Sequence, residues 1–390
     1  MPTAAELDAI TPAALRAAGH IKWTSYGPET LGAFVAETDL GTAPEVLAAL
    51  DAAVAGELIG YLPHPIARAM QEACASYQSD AFGWTVAPEQ VLPLPDVIHG
   101  LEVAIDHLSR PGSPVILPVP AYMPFLDVPR YRGRRIVPVE MVRDRGRYVY
   151  DLDALDGAFA AGGHLMVLCN PHNPLGRVME PAELDAIAAV VDRHGGRVFA
   201  DEIHAPLVYP GHHHVPYATR SDVTAAHAVT ATSTSKAWNL PGLKCAQLIV
   251  NDADRAHLES LGPYAINSAS TLGVVASTAA FTRGRPWLDD IVTYLDGNRH
   301  LLADLLGEHL PDVGYTAPEG TYLTWLDCRR LGLPDALADF FLERADVAIV
   351  DGARCGTPGR GFVRLNIATS RPILTQVVAR MAGAARREHR

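Results

Sequence analysis

The chain has 390 residues, of which 48% are hydrophobic and 19% charged, so it can bury a large core and is not globally disordered. Its formal net charge of −12 argues against a nucleic-acid-binding protein, which needs a basic face. Five scattered cysteines without a Cys-x-x-Cys pair predict reduced thiols rather than disulfides or a zinc site. No secretory signal opens the chain and no apolar run is long enough to cross a membrane. We therefore expect a cytoplasmic protein.

The part of the chain before residue 90 predicts helices joined by loops. Residues 1–20 predict a short helix or arm, and residues 33–39 predict an extended segment that ends in a turn. Helices are predicted over 45–55 and 66–77, with a loop at 60–63 between them.

From residue 90 onward, short apolar strands alternate with helices. The predicted strands are 91–95, 114–118, 135–139, 164–169, 197–201, 227–232 and 246–250. One intervening helix has an apolar stripe at Ile98, Leu101, Ile105 and Leu108, and another is predicted over 183–194. This alternation predicts an α/β fold with a mostly parallel sheet covered on both faces. Active sites in such sheets lie at the carboxyl ends of the strands.

A change of pattern near residue 285 predicts a domain boundary. Residues 287–310 predict one long helix, and a smaller α+β region follows it. We expect residues 1–45 to form an N-terminal segment that packs with the small domain. Residues 46–285 then form the large, cofactor-binding domain, and residues 286–390 form the small C-terminal domain.

The segment from Ser233 to Lys244 carries the strongest chemical signal. Ser233 and Ser235 follow an apolar strand and are spaced so that both hydroxyls can donate to one phosphate. Lys236 beside them is free for covalent chemistry, and a Pro-Gly break lets Lys244 return to the same phosphate. A lysine at such a place predicts a Schiff base with an aldehyde cofactor. The alternative is a hydroxyl-rich loop with a surface lysine.

Ser-x-Ser-Lys followed by Asn-x-x-Gly-Leu resembles the cofactor-lysine motif of fold-type I pyridoxal-phosphate enzymes. The resemblance implies pyridoxal 5′-phosphate bound to Lys236. It also implies that Asn173 donates to the cofactor's phenolate oxygen and that Asp201 pairs with the pyridine nitrogen. Tyr122 matches the residue that stacks on the ring, and His204 stands where transaminases often have tyrosine. Taken singly, these residues also suit a Pro-rich turn, an ordinary ion pair and core packing.

The phosphate end of the site is expected at the start of a helix, where free backbone amides suit an anion. We assign the amides of Val97 and Ile98 to the phosphate. Asp96 departs from the family, because its carboxylate would repel a phosphate, and we interpret it as an N-cap. Tyr61 matches a tyrosine that relatives lend to the neighbouring subunit's phosphate, which implies a homodimer with shared sites. Without the resemblance, a tyrosine in a loop would be interpreted as a packing residue.

The substrate side is assigned mainly through the resemblance. Arg364, in a predicted strand of the small domain, matches the arginine that holds the substrate α-carboxylate, which a planar guanidinium suits. Asn173 and Tyr122 are expected to contact the substrate too. Ala36 is expected near the substrate entrance, in Ala-Glu-Thr-Asp where relatives commonly have Ala-Asp-Met-Asp. The run 212–214 of three histidines has no ligand partners nearby and predicts a solvated loop, not a metal site.

Four further motifs resemble the MalY/PatB type of C–S lyases, also called cystathionine β-lyase-like, within the class I/II aminotransferase superfamily. They are Lys-Trp at 22–23, Asn-Pro-His-Asn-Pro, Asp-Glu-Ile-His, and Gly-Thr-Tyr-Leu-Thr-Trp-Leu-Asp at 320–327. The resemblance spans nearly the whole chain. It implies a pyridoxal-phosphate-dependent C–S β-lyase that cleaves L-cystathionine or related cysteine S-conjugates to thiol, pyruvate and ammonia.

Two other functions remain open at this stage. The residue chemistry alone also suits an aminotransferase of amino acids, with Lys236 as the general base. A non-enzymatic cofactor-binding regulator is less favoured, because about twenty residues before Lys22 are too few for a helix-turn-helix domain.

Overall fold

The computed structural model describes residues 2–262, 266 and 269–388, and it has the predicted α/β architecture. The α-helices of the described residues, labelled α1 to α16, are Ala4–Asp8, Pro12–Ala17, Ile21–Thr24, Pro44–Ala55, His64–Phe82, Val97–His107, Met123–Tyr131, Leu152–Ala160, Pro181–Arg193, Asp222–His227, Thr234–Ala237, Asp252–Ser260, Thr271–Arg283, Arg285–His309, Leu337–Ala345 and Arg371–Glu388. The strands, labelled β1 to β15, are Leu31–Gly32, Val91–Leu94, Val115–Val119, Ile136–Glu140, Val142–Asp144, Arg147–Val149, Leu165–Cys169, Arg197–Asp201, Ala228–Thr232, Ala246–Ile249, Gly314–Tyr315, Leu323–Asp327, Val347–Ala348, Val350–Asp351 and Phe362–Asn366.

The central sheet has strands in the order β2-β10-β9-β8-β7-β3-β4. Strand β10 runs antiparallel to both of its neighbours, and the other neighbouring pairs are parallel. Every predicted strand between residues 91 and 250 is present, with ends that differ by about one residue. His227 was predicted in a strand but ends helix α10, because Ser221 caps a short helix just before β9.

Helices cover both faces of this sheet, as the continuous apolar strands require. On one face α6 buries Leu101 and Ile105 against the sheet. On the other face α9 buries Leu184, Ile187 and Val191. Burying such aliphatic side chains stabilises the fold by about 1.5–3 kcal/mol each. The strands and their carboxyl ends are therefore fixed from both sides.

A smaller antiparallel sheet, in the order β11-β12-β15-β14, lies in the C-terminal part of the chain. The long helix predicted near residue 287 is α14, and α14 packs against the C-terminal helix α16. The predicted α/β class with a second, smaller sheet is thereby confirmed. The three domain limits stay a prediction.

The N-terminal segment is tied to the C-terminal part of the chain. Strand β1 pairs in parallel with β13. Lys22 Nζ lies 2.9 Å from Asp39 Oδ2, and Trp23 Nε1 donates to Asp39 Oδ1 at 2.7 Å. Lys22 Nζ also donates to the carbonyl of Ala368 at 3.3 Å. All four residues are buried, so these bonds anchor the chain before the central sheet begins.

The extended segment predicted over 33–39 is wrong, because none of these residues lies in a strand. Only Leu31–Gly32 is a strand, and the residues after it are irregular. The carbonyls from Phe34 to Glu37 accept hydrogen bonds from side chains, whereas the carbonyl of Ala33 accepts from the Asn366 backbone amide of β15.

All five cysteines are buried and none forms a disulfide. Within the described residues, no helix combines the length and apolar character needed to span a bilayer. In the same part of the chain, no three or more His, Cys, Asp or Glu side chains are grouped to hold a metal ion.

Candidate active site

A cavity of about 220 Å³ lies at the carboxyl ends of the parallel strands. Most of the residues that the sequence singled out line this cavity. They are Ala36, Val97, Ile98, Tyr122, Asn173, Asp201, His204, Ser233, Ser235, Lys236 and Lys244. Arg364 lies beside the cavity and contacts Asn173 on its wall, whereas Tyr61 lies elsewhere on the surface. The structure thus brings together every predicted site residue except Tyr61.

Lys236 lies in the short helix α11, directly after strand β9. Its Nζ donates to the carbonyl of Ala36 at 3.0 Å. Burial, together with a smaller effect of the nearby Arg364, lowers the pKa of Lys236 to about 8, although Glu37 and Asp201 act in the opposite direction. A lysine with such a pKa has a substantial neutral fraction near physiological pH. It is therefore suited to attack a carbonyl or to accept a proton.

Asp201 ends strand β8 and is 4% exposed. Its Oδ1 accepts a hydrogen bond from the amide of Ile203 at 3.1 Å. Burial, with a smaller effect of Glu202, raises the pKa of Asp201 to about 7, although the Ile203 amide, Lys236 and Cys169 act in the opposite direction. A buried carboxylate with so little local compensation favours a cationic partner in the cavity.

Asn173 and Arg364 form one hydrogen-bonded unit. Arg364 Nη1 donates to Asn173 Oδ1 at 3.1 Å, and Arg364 Nη2 donates to the carbonyl of Phe34 at 2.9 Å. Among the described residues, nothing accepts from the Asn173 side-chain amide, and Arg364 Nε is buried without a partner. Arg364 therefore orients the Asn173 side-chain amide toward the cavity, and its own Nε–H remains available to donate to a ligand.

His204 and Tyr122 form two walls of the cavity. His204 is buried, and burial together with Lys236 and Arg364 lowers its pKa to about 3, so the ring is neutral. Within the described structure, His204 Nδ1 is buried without a hydrogen-bond partner. Tyr122 stands at the start of α7, and burial raises the pKa of its hydroxyl. Both rings keep polar atoms for a ligand.

The predicted two-serine phosphate clamp needs a correction. Ser233 Oγ donates to the carbonyl of Cys245 at 2.7 Å and accepts from the amide of Ser235 at 3.0 Å. It is therefore the N-cap of α11, and its hydroxyl proton is already used. The Ser235 hydroxyl has no partner among the described residues and lines the cavity, so it remains the available serine donor.

The other donors of the phosphate end lie at the start of α6. Asp96 caps this helix by accepting from the amide of His99 at 2.9 Å, as the sequence predicted. The second oxygen of Asp96 lies 3.0 Å from Lys244 Nζ. Lys244 thereby balances the carboxylate that would otherwise repel an anion. The backbone amides of Val97 and Ile98 lie in the first turn of α6, where N–H groups lack acceptors within the helix and can donate to a phosphate.

Four consecutive backbone carbonyls, at Phe34, Val35, Ala36 and Glu37, border the site and are called the carbonyl row here. Each accepts a hydrogen bond from a buried side chain. The donors are Arg364 to Phe34 at 2.9 Å, Asn366 to Val35 and to Glu37 at 2.7 Å each, Tyr322 to Ala36 at 3.0 Å, and Lys236 to Ala36 at 3.0 Å. This arrangement replaces the strand that the sequence predicted. It also shows two site residues that sequence reasoning missed, Tyr322 and Asn366.

The residues of the cavity fit pyridoxal phosphate. An amine of lowered pKa, a buried carboxyl and an orphaned buried ring nitrogen, His204 Nδ1, converge on one space. The far end of the same space offers a hydroxyl, an ammonium group and helix-terminal amides, which are phosphate donors. An aldehyde, a protonatable pyridine nitrogen, a phenolate oxygen and a phosphate match these groups one by one.

Comparison with known proteins decides the family. The family model "Aminotransferase class I and II" matches residues 32–381, which include the whole cavity and both sheets. The chain belongs to this family. This family assignment rests on the match alone and does not depend on any activity.

The relatives of this class I and II aminotransferase family member are full-length matches. The chain is 36% identical to "Cystathionine beta-lyase" of Corynebacterium glutamicum, with 93% of this chain and 95% of the relative covered. It is 31% identical to "Cystathionine beta-lyase PatB" of Bacillus subtilis, with 93% and 96% covered.

A solved structure is similar over the same length. It is described as a putative PLP-dependent β-cystathionase from Corynebacterium diphtheriae. Its TM-score is 0.91 at 39% identity, and 97% of this chain and 98% of that chain are covered. The predicted resemblance to PatB-type lyases and the predicted fold-type I architecture are confirmed.

Proposed function

We propose that the protein is a pyridoxal-phosphate-dependent C–S β-lyase. It converts L-cystathionine or a related cysteine S-conjugate and water into a thiol, pyruvate and ammonia. The observation that carries the proposal is the convergence of Lys236, Asp201, Asn173 and His204 on one cavity. The full-length relatives named as cystathionine β-lyases support the reaction type.

When bound, pyridoxal phosphate supplies an electron sink that makes the substrate Cα acidic and lets Cβ lose its thiolate. Arg364 holds the substrate α-carboxylate in a bidentate pair. Lys236 removes the proton from Cα, which its lowered pKa favours at neutral pH. Asp201 holds the pyridine nitrogen in its protonated form.

The remaining residues orient the cofactor and substrate. Asn173 and His204 would hold the phenolate oxygen of the cofactor, and Tyr122 would stack on its pyridine ring. Ser235, Lys244 and the amides of Val97 and Ile98 hold the phosphate, with Ser233 acting through the backbone of α11. Asn173 and Tyr122 also contact the substrate, beside Ala36.

The activity is tested with purified protein and L-cystathionine in the absence of any keto acid. We expect pyruvate and free thiol to appear in equal amounts, because β-elimination needs no amino acceptor. Aminotransferase activity is the competing hypothesis, and the matching family model is named for it. If pyruvate forms only after a keto acid is added, or if the amino acid is consumed without free thiol, the lyase proposal is wrong.

We further propose a cytoplasmic homodimer in which Tyr61 completes the neighbouring subunit's phosphate site. Tyr61 is fully exposed in the single chain, and Ile59 beside it and Leu47 and Val54 on helix α4 are exposed as well. The carbonyl of Gly60 accepts from Thr271 at 2.8 Å, which fixes the backbone of this loop. An exposed apolar group on a fixed loop is typical of an interface. The five reduced cysteines suit a cytoplasmic location.

The shared site is tested by mixing two inactive variants. Lys236→Ala and Tyr61→Ala homodimers are each expected to be nearly inactive. A mixed dimer would have one site without either residue and one intact site, so mixing should restore activity. A charge-assisted hydrogen bond from Tyr61 is worth about 1.5–3 kcal/mol, so Tyr61→Ala should also weaken cofactor binding measurably.

Formation of the mixed dimer must be confirmed by size and by distinct tags on the two variants. If mixed dimers form and remain inactive, Tyr61 acts within its own chain, and if the Tyr61→Ala homodimer is itself active, Tyr61 has no role in the site.

A further inference from the structure

The segment 36–39 has two acidic side chains, and Glu37 is the one whose carboxylate makes no hydrogen bond or ion pair with a described residue. Asp39 is buried and bound by Lys22 and Trp23. Glu37 is half-buried, and no hydrogen bond or ion pair joins its carboxylate to any residue that the structure describes. A partly desolvated carboxylate without a partner favours a cationic ligand.

The backbone of Glu37 is fixed beside the reactive amine. Its carbonyl accepts from Asn366 Nδ2 at 2.7 Å, as the carbonyl of Val35 does from the same group. The preceding carbonyl, that of Ala36, accepts from Lys236 Nζ and Tyr322 at 3.0 Å each. Glu37 is therefore held at the border of the site by the carbonyl row and does not lie on a free loop.

The charge of Glu37 reaches the centre of the site. It raises the pKa of Lys236, and it acts on the Tyr322 hydroxyl in the same direction. Both of those groups converge on the carbonyl of Ala36. The Glu37 carboxylate is therefore near the reactive amine, on the residue that directly follows the cavity-lining Ala36.

The other charges of the site are already assigned in the proposed function. Arg364 receives the substrate carboxylate, Lys236 acts at Cα, and Asp201 serves the pyridine nitrogen. Lys244 is paired with Asp96 at the phosphate end. A cysteine S-conjugate offers one further group, the substituent on its sulfur, and Glu37 is a charge beside the amine that has no role in the proposed function.

We propose that Glu37 is a specificity-determining residue that selects cysteine S-conjugates with a cationic group, such as an ammonium, on the sulfur substituent. This inference rests on the proposed function for its substrate class. A charged hydrogen bond at a partly dry site discriminates strongly against a neutral isostere, because the isostere leaves the carboxylate unpaired.

The test compares two conjugates of nearly equal size, S-(3-aminopropyl)-L-cysteine and S-butyl-L-cysteine, with the holoenzyme and its Glu37→Gln variant. For the aminopropyl conjugate, Glu37→Gln is expected to lower kcat/KM by about tenfold, the usual effect of losing one charged partner. For the butyl conjugate, kcat/KM should change less than about twofold, because no charge is lost. An equal change for both conjugates would mean that Glu37 acts through Lys236, and no change for either would mean that it has no role. Both outcomes overturn the proposal.

Two further measurements separate this inference from the lyase proposal and from misfolding. Dissociation constants for both conjugates, read from the visible absorbance of the bound cofactor, test Glu37 even if neither conjugate yields pyruvate or thiol. Absence of product would overturn the lyase activity alone. Glu29→Gln removes an equal charge from an exposed position in the same N-terminal segment and should leave both conjugates unaffected. Glu37→Lys should instead favour S-(2-carboxyethyl)-L-cysteine, and failure of that reversal in a folded, cofactor-loaded variant also counts against the proposal.

Discussion

Replacing Lys236 by alanine is expected to lower turnover by about 10⁴-fold, because the variant loses the general base at Cα and the covalent attachment of the cofactor. The fold should persist, since α11 is capped by Ser233 rather than by the lysine. Turnover is measured as pyruvate release, and thermal unfolding reports on the fold.

Because the chain has few lysines, the lysine that binds the cofactor covalently can be identified directly. The chain contains only Lys22, Lys236 and Lys244. Lys22 is buried in its pair with Asp39, and Lys244 is largely exposed and paired with Asp96. After borohydride reduction of the holoenzyme, peptide mapping should place the pyridoxyl group on Lys236. A label on Lys22 or Lys244 would refute the assignment.

Asp201→Asn is expected to lower turnover by about 10³-fold, because an amide cannot stabilise the positive charge on the pyridine nitrogen. The side chain keeps its size, so the hydrogen bond from the Ile203 amide can persist. The effect should fall on kcat more than on KM, since the proposed pairing of Arg364 with the substrate carboxylate would be unchanged. A variant that keeps a tenth of the wild-type kcat would rule out this role.

The same substitution should stabilise the protein without its cofactor. Burial raises the pKa of Asp201 to about 7 in the folded state, above the usual value of 3.8. Between those two values the folded protein binds more protons than the unfolded one, so this group favours the folded state less as pH rises toward 7. The Tm of cofactor-free Asp201→Asn should therefore exceed that of the wild type at pH 8, and the difference should shrink toward pH 5.

Asp335→Asn provides the matched control for this stability measurement. Asp335 is exposed, so its substitution should shift Tm equally at both pH values. If Asp201→Asn behaves like Asp335→Asn, burial of the Asp201 carboxylate carries no cost.

The sequence predicted the central sheet well because its signals are local. Each strand is a short apolar run bounded by Gly, Pro or polar residues, and the helices between them have a clear apolar stripe. Helix α13, Thr271–Arg283, was not predicted for the opposite reason. It is built from small residues buried on most sides, so it lacks the polar face that reveals a helix. A Cβ on Gly273 would lie 2.1 Å from the carbonyl of Leu243, which shows how closely α13 packs.

The site was predicted where a motif fixes the chemistry and missed where distant contacts do. Asp201, Asn173 and Lys236 follow strand ends, and strand ends of a parallel sheet meet in space. Ser233 matched a phosphate donor in sequence, but a helix N-cap uses the same residue type. Tyr322 and the irregular path of the carbonyl row depend on residues far apart in the chain, and no local pattern reports such a contact.

The carbonyl row also affects the order in which the protein folds during translation. The row lies near the start of the chain, yet its donors Tyr322, Arg364 and Asn366 are 286 to 331 residues away. Translation delivers the N-terminal part first, and such distant contacts must wait for the later part to emerge. In a nascent chain that contains the whole central sheet but not yet Tyr322, Arg364 and Asn366, the carbonyls therefore lack these donors and are hydrated. Lys236 gains its ordered acceptor at Ala36 only after Tyr322, Arg364 and Asn366 have been synthesised, so catalytic competence must follow the emergence of these residues.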